Sequence, residues 1–250
     1  MNSVQSLERA FAIIDVIATE PCGLSEAARR VGLPKSTVAR LMATLETVGA
    51  LERVGARYHP GPAVTRRSGA DNTRLIALAR PYLEELAADN GEVAGVSIAD
   101  GDRVHAIAQV DVDRPVQARD WTGELASIHS VPSGLIMMAE WPEDRLAAYL
   151  DRPLQPSTAK TLVDADRIRT RLDGIRAQGY AWGKEEFHEG INSVAAPVRD
   201  HNGTVVAAVH LHGPAFRFPE AGTEEAIGRD LAAAADRLSS SYATAREAPS

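Results

Sequence analysis

The spacing of apolar residues predicts three helices in the first fifty positions of the chain. The first covers 4–19 and has a single apolar stripe, which is typical of a helix with one buried face. The stripe consists of Leu7, Phe11, Ile14 and Ile17. A second, short helix is expected at 26–31 and a third at 35–48. Three short helices in succession indicate a small helical module in this part of the chain.

Capping and turn residues separate these helices. Ser25 stands where its side-chain oxygen can cap the second helix, and Gly32 stands where the turn to the third helix needs a positive φ. Pro34 has the φ of a first helical turn, and Gly49 follows the third helix as a C-terminal cap. The second and third helices are therefore joined by a tight turn.

A hairpin and a long helix are predicted next. Two short alternating stretches, 51–54 and 57–59, are separated by a Gly-Ala turn and read as a small β-hairpin, the wing beside the helices. The segment 60–72 is rich in Gly, Pro and polar residues and is the clearest candidate domain boundary. Helical periodicity returns over 75–87, with Pro81 either kinking one helix or starting a second. We expect this helix to connect two domains.

The rest of the chain alternates between strand and helix patterns. Predicted strands cover 92–99, 103–110, 115–119, 180–187, 192–199 and 204–212. Predicted helices cover 132–140, 143–150, 164–178 and 222–243. Asp100-Gly101-Asp102 and His201-Asn202-Gly203 mark hairpin turns between neighbouring strands. The expected fold class is α+β, an antiparallel sheet with helices packed on it.

The segment 24–45 has the features of a helix-turn-helix. Ala27 and Ala28 let two helices cross closely over a shared core of Leu24, Val31, Leu33, Val38, Leu41 and Leu45. Polar and basic residues gather at the start of the third helix, where a recognition helix meets base edges and phosphates in the major groove. The predicted DNA-binding residues are Ser25, Lys35, Ser36, Thr37, Arg40 and, on the hairpin, Arg57. Double-stranded DNA is the predicted partner.

Charge and composition modify this interpretation. The net charge of −7 argues at first against a nucleic-acid partner, but residues 1–67 carry +3 and the rest of the 250 residues −10. The single cysteine, Cys22, excludes an internal disulfide framework and fits a reducing compartment. Because the sequence has neither a secretory leader pattern nor an apolar run of about 18 residues, we expect a cytoplasmic protein without a membrane partner.

Four segments resemble the isocitrate-lyase-regulator (IclR) family of transcriptional regulators. They are SVQSLERAFAIIDVIA at 3–18, GLPKSTVARLMATLETVGALER at 32–53, LIALARPYLEELAADNGE at 75–92 and GINSVAAPVRDHNGTVVAAVHLHGP at 190–214. The resemblance implies a winged helix-turn-helix at 1–66, a linker and connecting helix at 67–90, and a GAF-like effector-binding domain at 91–246.

The resemblance also implies how such a protein works. A small effector, commonly a carboxylic or aromatic acid, modulates affinity for a palindromic operator, which is bound by a homodimer or homotetramer. We expect a repressor. Activation stays open, because the outcome depends on where the operator lies relative to the promoter.

The family's effector pocket implies two groups of binding residues. The first lies in LASIHSVPSGLIMMA at 125–139, where His129 matches the family pattern. Ser130 and Val131 would present a side-chain oxygen and backbone N–H groups to a carboxylate at the start of a helix. Trp121 is a candidate wall for an aromatic ligand.

The second group lies on the last strands of the predicted sheet. Asn192 and Ser193 match a polar pocket position of the family, whereas His210 and His212 stand where the family often has serine. Leu135 also departs from the pattern, since many members have lysine there. These departures suggest an effector different from those of other members.

A metal site is one alternative that the residues leave open. His210 and His212 share one face of a strand, and His129, His105 or Glu186 would be further ligands. Hydrogen bonding to an effector, or between the two histidines, is favoured because no spaced acidic or cysteine set accompanies them. Neither a metal nor a cofactor is predicted.

Two further alternatives concern the whole chain. An enzyme would need a nucleophile such as Ser133 or Ser193 with a histidine base, but no G-x-S-x-G, P-loop, G-x-G-x-x-G or H-E-x-x-H motif is present. No catalytic residue is therefore predicted. The second alternative is a sensor or scaffold that does not bind DNA and uses its winged helix for dimerisation.

Overall fold

The first part of the chain folds into three helices and a hairpin. The computed structural model describes residues 5–116 and 118–247, so the predicted first helical residue, Val4, lies outside the described residues. The elements are α1 (Gln5–Thr19), α2 (Leu24–Arg30), α3 (Lys35–Thr47), β1 (Leu51–Val54) and β2 (Arg57–Pro60). β1 and β2 pair antiparallel. This is the predicted winged helix-turn-helix.

Small residues and one glycine turn bring α2 and α3 together. Ala27 and Val38 are fully buried and Ala28 nearly so, in one apolar cluster with residues of α1 and β1. Gly32, between the helices, has φ +66°, a conformation that L side chains rarely adopt. The packing that positions α3 thus follows from the residues that indicated a helix-turn-helix.

Two local predictions for this module are wrong, one of them in part. In the predicted stripe on α1 only part is right: Ile17 is fully buried as predicted, but Ile13 is buried with it, while Leu7 and Phe11 are 57% and 61% exposed. Ser25 does not cap α2: the helix begins at Leu24, Gly23 occupies the capping position, and no side chain caps it.

The segment 60–72, predicted as the domain boundary, is largely helical. Helix α4 (Pro62–Asn90) includes most of 60–72 and continues through Pro81. A proline in the first turn is compatible with a helix because that residue needs no N–H donor, so Pro62 starts the helix rather than interrupting the chain. The chain divides into two compact units, 1–74 and 75–250, at a point inside α4.

The second unit contains a six-stranded antiparallel sheet in the order β5-β4-β3-β8-β7-β6. Its strands are β3 (Val93–Asp100), β4 (Arg103–Val110), β5 (Leu125–Ser127), β6 (Ala181–Lys184), β7 (Ile191–Arg199) and β8 (Val205–Pro214). Its helices after α4 are α5 (Pro132–Met138), α6 (Glu143–Leu150), α7 (Ala165–Gln178) and α8 (Glu224–Glu247). The α+β prediction is confirmed, but the strand predicted at 115–119 is wrong: the described residues there are outside any strand, and the edge strand is β5.

Each face of the sheet packs against a different set of helices. On one face, α8 and residues 75–87 of α4 cover the side chains of Val194, Val209 and Leu211. On the other face, α5, α6 and α7 cover Ala195 and Ala208. Because side chains alternate along a strand, His210 and His212 of β8 lie on this second face. None of the described helices is long and apolar enough to cross a membrane.

Candidate functional site

The start of α3 forms a polar, positively charged surface. Lys35, Ser36 and Arg40 are exposed and Thr37 is half-buried. Neither Lys35 nor Arg40 forms an ion pair within the described part of the chain, and the first turn of α3 contains no acidic residue. A helix N-terminus carries partial positive charge, so this end of α3 suits an anionic partner such as a phosphate.

Three other arginines of this unit have partners within it. Ser25 and Arg57 are exposed, but the Arg57 guanidinium donates a hydrogen bond to the carbonyl oxygen of Pro21 at 3.1 Å. Arg29 and Arg30 are held in ion pairs with glutamates of the same unit. Among the predicted DNA-binding residues, the basic side chains without such contacts to described residues are therefore Lys35 and Arg40 of α3.

The second unit contains a cavity of about 80 Å³ on the α5–α7 face of its sheet. Strands β3, β4, β5, β7 and β8 contribute side chains to its walls, as do the start of α5 and two loops. The lining residues are Ser97, Val104, Trp121, Ala126, Val131, Pro132, Ser133, Phe187, Ile191, Ser193, His210 and His212.

Five of the predicted effector-binding residues line this cavity together. They are Trp121, Val131, Ser193, His210 and His212. Sequence reasoning missed Ser97, which lies on β3 shortly before the hairpin turn. Its hydroxyl lies 3.4 Å from Nδ1 of His210. Sequence reasoning also missed Phe187, which stood at the end of the strand predicted at 180–187 but lies in the loop after β6, because that strand ends at Lys184.

The other three predicted effector-binding residues have partners within the protein. Nδ1 of His129 lies 2.7 Å from the Tyr149 hydroxyl and Nε2 lies 3.1 Å from the carbonyl oxygen of Gln155. Burial lowers the pKa of His129, a trend that the Gln155 hydrogen bond opposes. His129 thus positions the segment before α5 and does not line the cavity.

Ser130 and Asn192 also lie outside the cavity wall. The Ser130 hydroxyl donates to the carbonyl oxygen of Ser127 at 2.8 Å. Asn192 donates to the carbonyl oxygen of Phe218 at 2.8 Å, on the sheet face opposite to Ser193, because adjacent strand residues point in opposite directions. Of the Asn192–Ser193 pair, only Ser193 borders the cavity.

The two histidines of β8 are the ionisable side chains of the cavity wall. Their rings stack with centroids 5.5 Å apart and planes 27° from parallel. Burial lowers the pKa of His210 to about 3, with His212 as a second cause. Burial also lowers the pKa of His212 to about 4, although the negative charge of Asp120 opposes that decrease. Both rings are therefore neutral at pH 7 when the cavity is empty.

Aromatic residues of two loops meet beside the cavity. The rings of Trp121 and Phe187 make an edge-to-face contact with centroids 5.2 Å apart. The guanidinium of Arg119 lies over the Trp121 ring at 3.9 Å and is also ion-paired with Glu124. These contacts hold Trp121 in place as part of the cavity wall.

The metal alternative finds no ligand set in the described residues. No group of three or more His, Cys, Asp or Glu side chains there is placed to hold an ion. Glu186 is ion-paired with Arg171 at 2.6 Å, and His105 follows Val104 on β4, so its side chain points to the face away from the cavity.

The catalytic alternative is not supported by the hydrogen bonds of the wall. Ser133 and Ser193 both line the cavity, but in the described residues neither has a hydrogen bond to a histidine. The serine that approaches one is Ser97.

Comparison with known sequences matches both units to one family. Residues 6–55 match the IclR helix-turn-helix domain, and 68–240 match the profile described as "Bacterial transcriptional regulator IclR C-terminal". The HTH-type transcriptional regulator Rv1719 of Mycobacterium tuberculosis is 35% identical over 221 residues, which are 87% of this chain and 85% of that protein. The acetate operon repressor of Salmonella typhimurium is 27% identical over 254 residues, 98% and 92% of the two chains.

Solved structures share the fold. IclR of Thermotoga maritima has a TM-score of 0.63 and 28% identity, with 96% of this chain and 99% of that chain covered. An IclR homologue of Microbacterium hydrocarbonoxydans, solved in complex with 4-hydroxybenzoate, has a TM-score of 0.62 with 94% and 99% covered. At 21% identity this second likeness concerns the fold alone.

Proposed function

This chain belongs to the IclR family of bacterial transcriptional regulators, and we propose that it is a repressor whose affinity for a palindromic operator changes when a small carboxylic acid occupies the cavity of its second unit. It is a regulator and not an enzyme. Because double-stranded DNA is its proposed partner, its expected compartment is the cytoplasm.

The observation that carries the DNA-binding proposal is the pair of exposed cations on α3. Lys35 and Arg40 stand at and just beyond the helix N-terminus, where a recognition helix approaches base edges and phosphates. Ser36 is exposed beside them and supplies a hydroxyl that can bond a phosphate or a base edge. The hairpin residue Arg57 adds a contact beside the major groove.

The size of the cavity favours a compact effector. Its volume of about 80 Å³ is smaller than the roughly 150 Å³ of a cavity known to admit benzene. This volume suits an acid of two to four carbons, whereas an aromatic acid needs more space than the empty cavity offers. Because the relative from Microbacterium hydrocarbonoxydans was solved with 4-hydroxybenzoate, aromatic acids belong in the ligand panel.

Self-association follows from the geometry of palindromic DNA. Two recognition helices must sit about 34 Å apart to read successive major grooves. Leu7 and Phe11, exposed on α1, are apolar residues that a second copy can cover. An acid that binds one arrangement of the dimer or tetramer more tightly than another changes operator affinity by that difference, typically about 1–3 kcal/mol.

The experiment that tests this proposal is operator binding measured by fluorescence anisotropy. DNA flanking the gene is titrated with protein at several salt concentrations, with and without a panel of small and aromatic acids. We expect sequence-specific, salt-sensitive binding that at least one acid weakens.

Two arginine variants separate the DNA-binding surface from a general charge effect. Arg40→Ala should lower operator affinity. Arg229→Ala, the same change at an exposed position of α8, should leave operator affinity unchanged. If both variants bind the operator like the unaltered protein, α3 is not the DNA-binding surface.

A further inference from the structure

The wall of the cavity lacks a permanent positive charge. No lysine or arginine is among its lining residues, and its polar side chains are three serines, the indole of Trp121 and the two imidazoles of β8. A carboxylate that enters such a cavity loses its hydration, which is costly unless an opposite charge compensates. The histidines are the groups that can supply that charge, by taking up a proton.

His212 is the member of the pair with an unused nitrogen. Its side chain is only 4% exposed, and its Nε2 has no hydrogen-bond partner in the described residues. His210 is more constrained, since its Nδ1 lies near the Ser97 hydroxyl and its ring lies directly over Gly95. A buried nitrogen without a partner costs free energy. Nε2 of His212 is closed to solvent in the empty cavity, so a ligand oxygen that recovers this cost reaches it through a rotation of the His212 ring.

The charged groups around the pair favour a proton on His212. The carboxylate of Asp120 acts on His212 from the loop before β5. On the adjoining segments Glu92 is ion-paired with Arg217, and Arg119 with Glu124. Asp120 is thus the acidic group whose charge remains available to stabilise an imidazolium.

We propose that the cavity binds a small monocarboxylic acid as its anion together with one proton from solvent, and that His212 holds this proton in a charge-assisted hydrogen bond to the carboxylate. This inference rests on the proposed effector function of the cavity. It names both the class of the ligand and a consequence for regulation: the effector signal strengthens as the pH of the cell falls.

The sign and size of the pH dependence follow from linkage. In the empty cavity burial holds the pKa of His212 near 4, so the ring is neutral at pH 6 to 8. A carboxylate bound against the His212 ring raises that pKa. At a pH between the pKa of the empty cavity and that of the occupied cavity, each binding event takes up one proton. Affinity for the acid therefore weakens about tenfold for each unit rise in pH. An uncharged amide of the same shape binds without this dependence.

The test uses the full-length protein and two acid–amide pairs, acetate with acetamide and benzoate with benzamide. Titration calorimetry at pH 6, 7 and 8, in two buffers with different enthalpies of ionisation, measures affinity and the number of protons taken up. We expect acid affinity to fall about tenfold per pH unit, about one proton to be taken up with the acid, and amide affinity to stay constant.

Three variants assign the proton. His212→Gln should abolish the pH dependence, while His201→Gln, the same change in the exposed β7–β8 turn, should retain it. Asp120→Asn is the second test if His212→Gln does not fold, because Asp120 lies outside the lining residues. It should weaken acid binding several-fold at pH 6 and leave amide binding unaltered.

The outcomes separate this inference from the effector function. Acid binding that alters operator affinity but does not vary with pH overturns the proton uptake and leaves the effector function standing. A pH dependence that persists in His212→Gln overturns the assignment to His212. If no acid binds and operator affinity never responds, both proposals fail.

Discussion

Lowering the pH should destabilise the second unit through His210 and His212. The perturbation is a fall in pH from 7 to 5, applied to the unaltered protein and to a double variant with both histidines replaced by glutamine. An unfolded histidine has a pKa near 6.5, whereas burial holds the folded values near 3 and 4. The unfolded chain therefore binds more protons in this pH range, so stability decreases as the pH falls below the unfolded value.

The magnitude follows from the same values. At pH 5, which is 1.5 units below the unfolded pKa of 6.5, both rings are protonated in the unfolded chain and neither is protonated in the folded protein. At about 1.4 kcal/mol per unit, each histidine contributes about 2 kcal/mol and the pair about 4 kcal/mol. The loss begins near the unfolded pKa and is absent at pH 8.

The assay is urea unfolding followed by tryptophan fluorescence at pH 8, 7, 6 and 5. All three tryptophans, Trp121, Trp141 and Trp182, lie in the unit 75–250, so the signal reports on that unit. Other groups titrate equally in both proteins, and the difference between the proteins isolates the pair. Equal losses of stability in the unaltered protein and the double variant between pH 7 and 5 would refute the reasoning.

Three further changes have outcomes that the structure specifies. Arg40→Ala should weaken operator binding about tenfold in the anisotropy titration and lower the slope of log affinity against log salt by about one if Arg40 contacts a phosphate. Gly134→Ala places a Cβ against the Ile128 carbonyl oxygen and should cost at least about 1–3 kcal/mol in urea unfolding. Glu92→Gln removes the buried negative charge that pairs with the partly exposed Arg217 and should cost about 1–3 kcal/mol in the same assay, whereas a shift below about 0.5 kcal/mol would contradict the importance of that ion pair.

The helix-turn-helix could be predicted from sequence because its determinants are local. The small residues Ala27 and Ala28, the turn at Gly32 and the proline before α3 each act within a few positions of the feature they specify. The stripe on α1 shows the limit of this approach. Leu7 and Phe11 satisfy the helical period as well as Ile13 does, and only tertiary packing decides which face is buried.

The cavity was harder to predict because its wall brings together distant segments. His210 and His212 followed from the alternation of a strand, and Ser193 from its match to the family. The same alternation, applied to Asn192 and Ser193, would have shown that adjacent residues cannot both face one cavity. His129 stays outside the cavity wall for a different reason: its partners, Tyr149 and Gln155, lie 20 and 26 positions away, and no local pattern reveals such contacts.

Gly95 explains how β8 can hold two imidazoles on one face of the sheet. It pairs with His210 across the sheet, and a Cβ at this position would lie 2.5 Å from the His210 ring nitrogen. The larger side chain on β8 is thus accommodated by the smallest residue on β3. The two imidazoles fill space on the cavity side of the sheet, which keeps the cavity small. Because they can take up a proton, the cavity can still bind an anion. Together these two effects favour a compact acid as the effector.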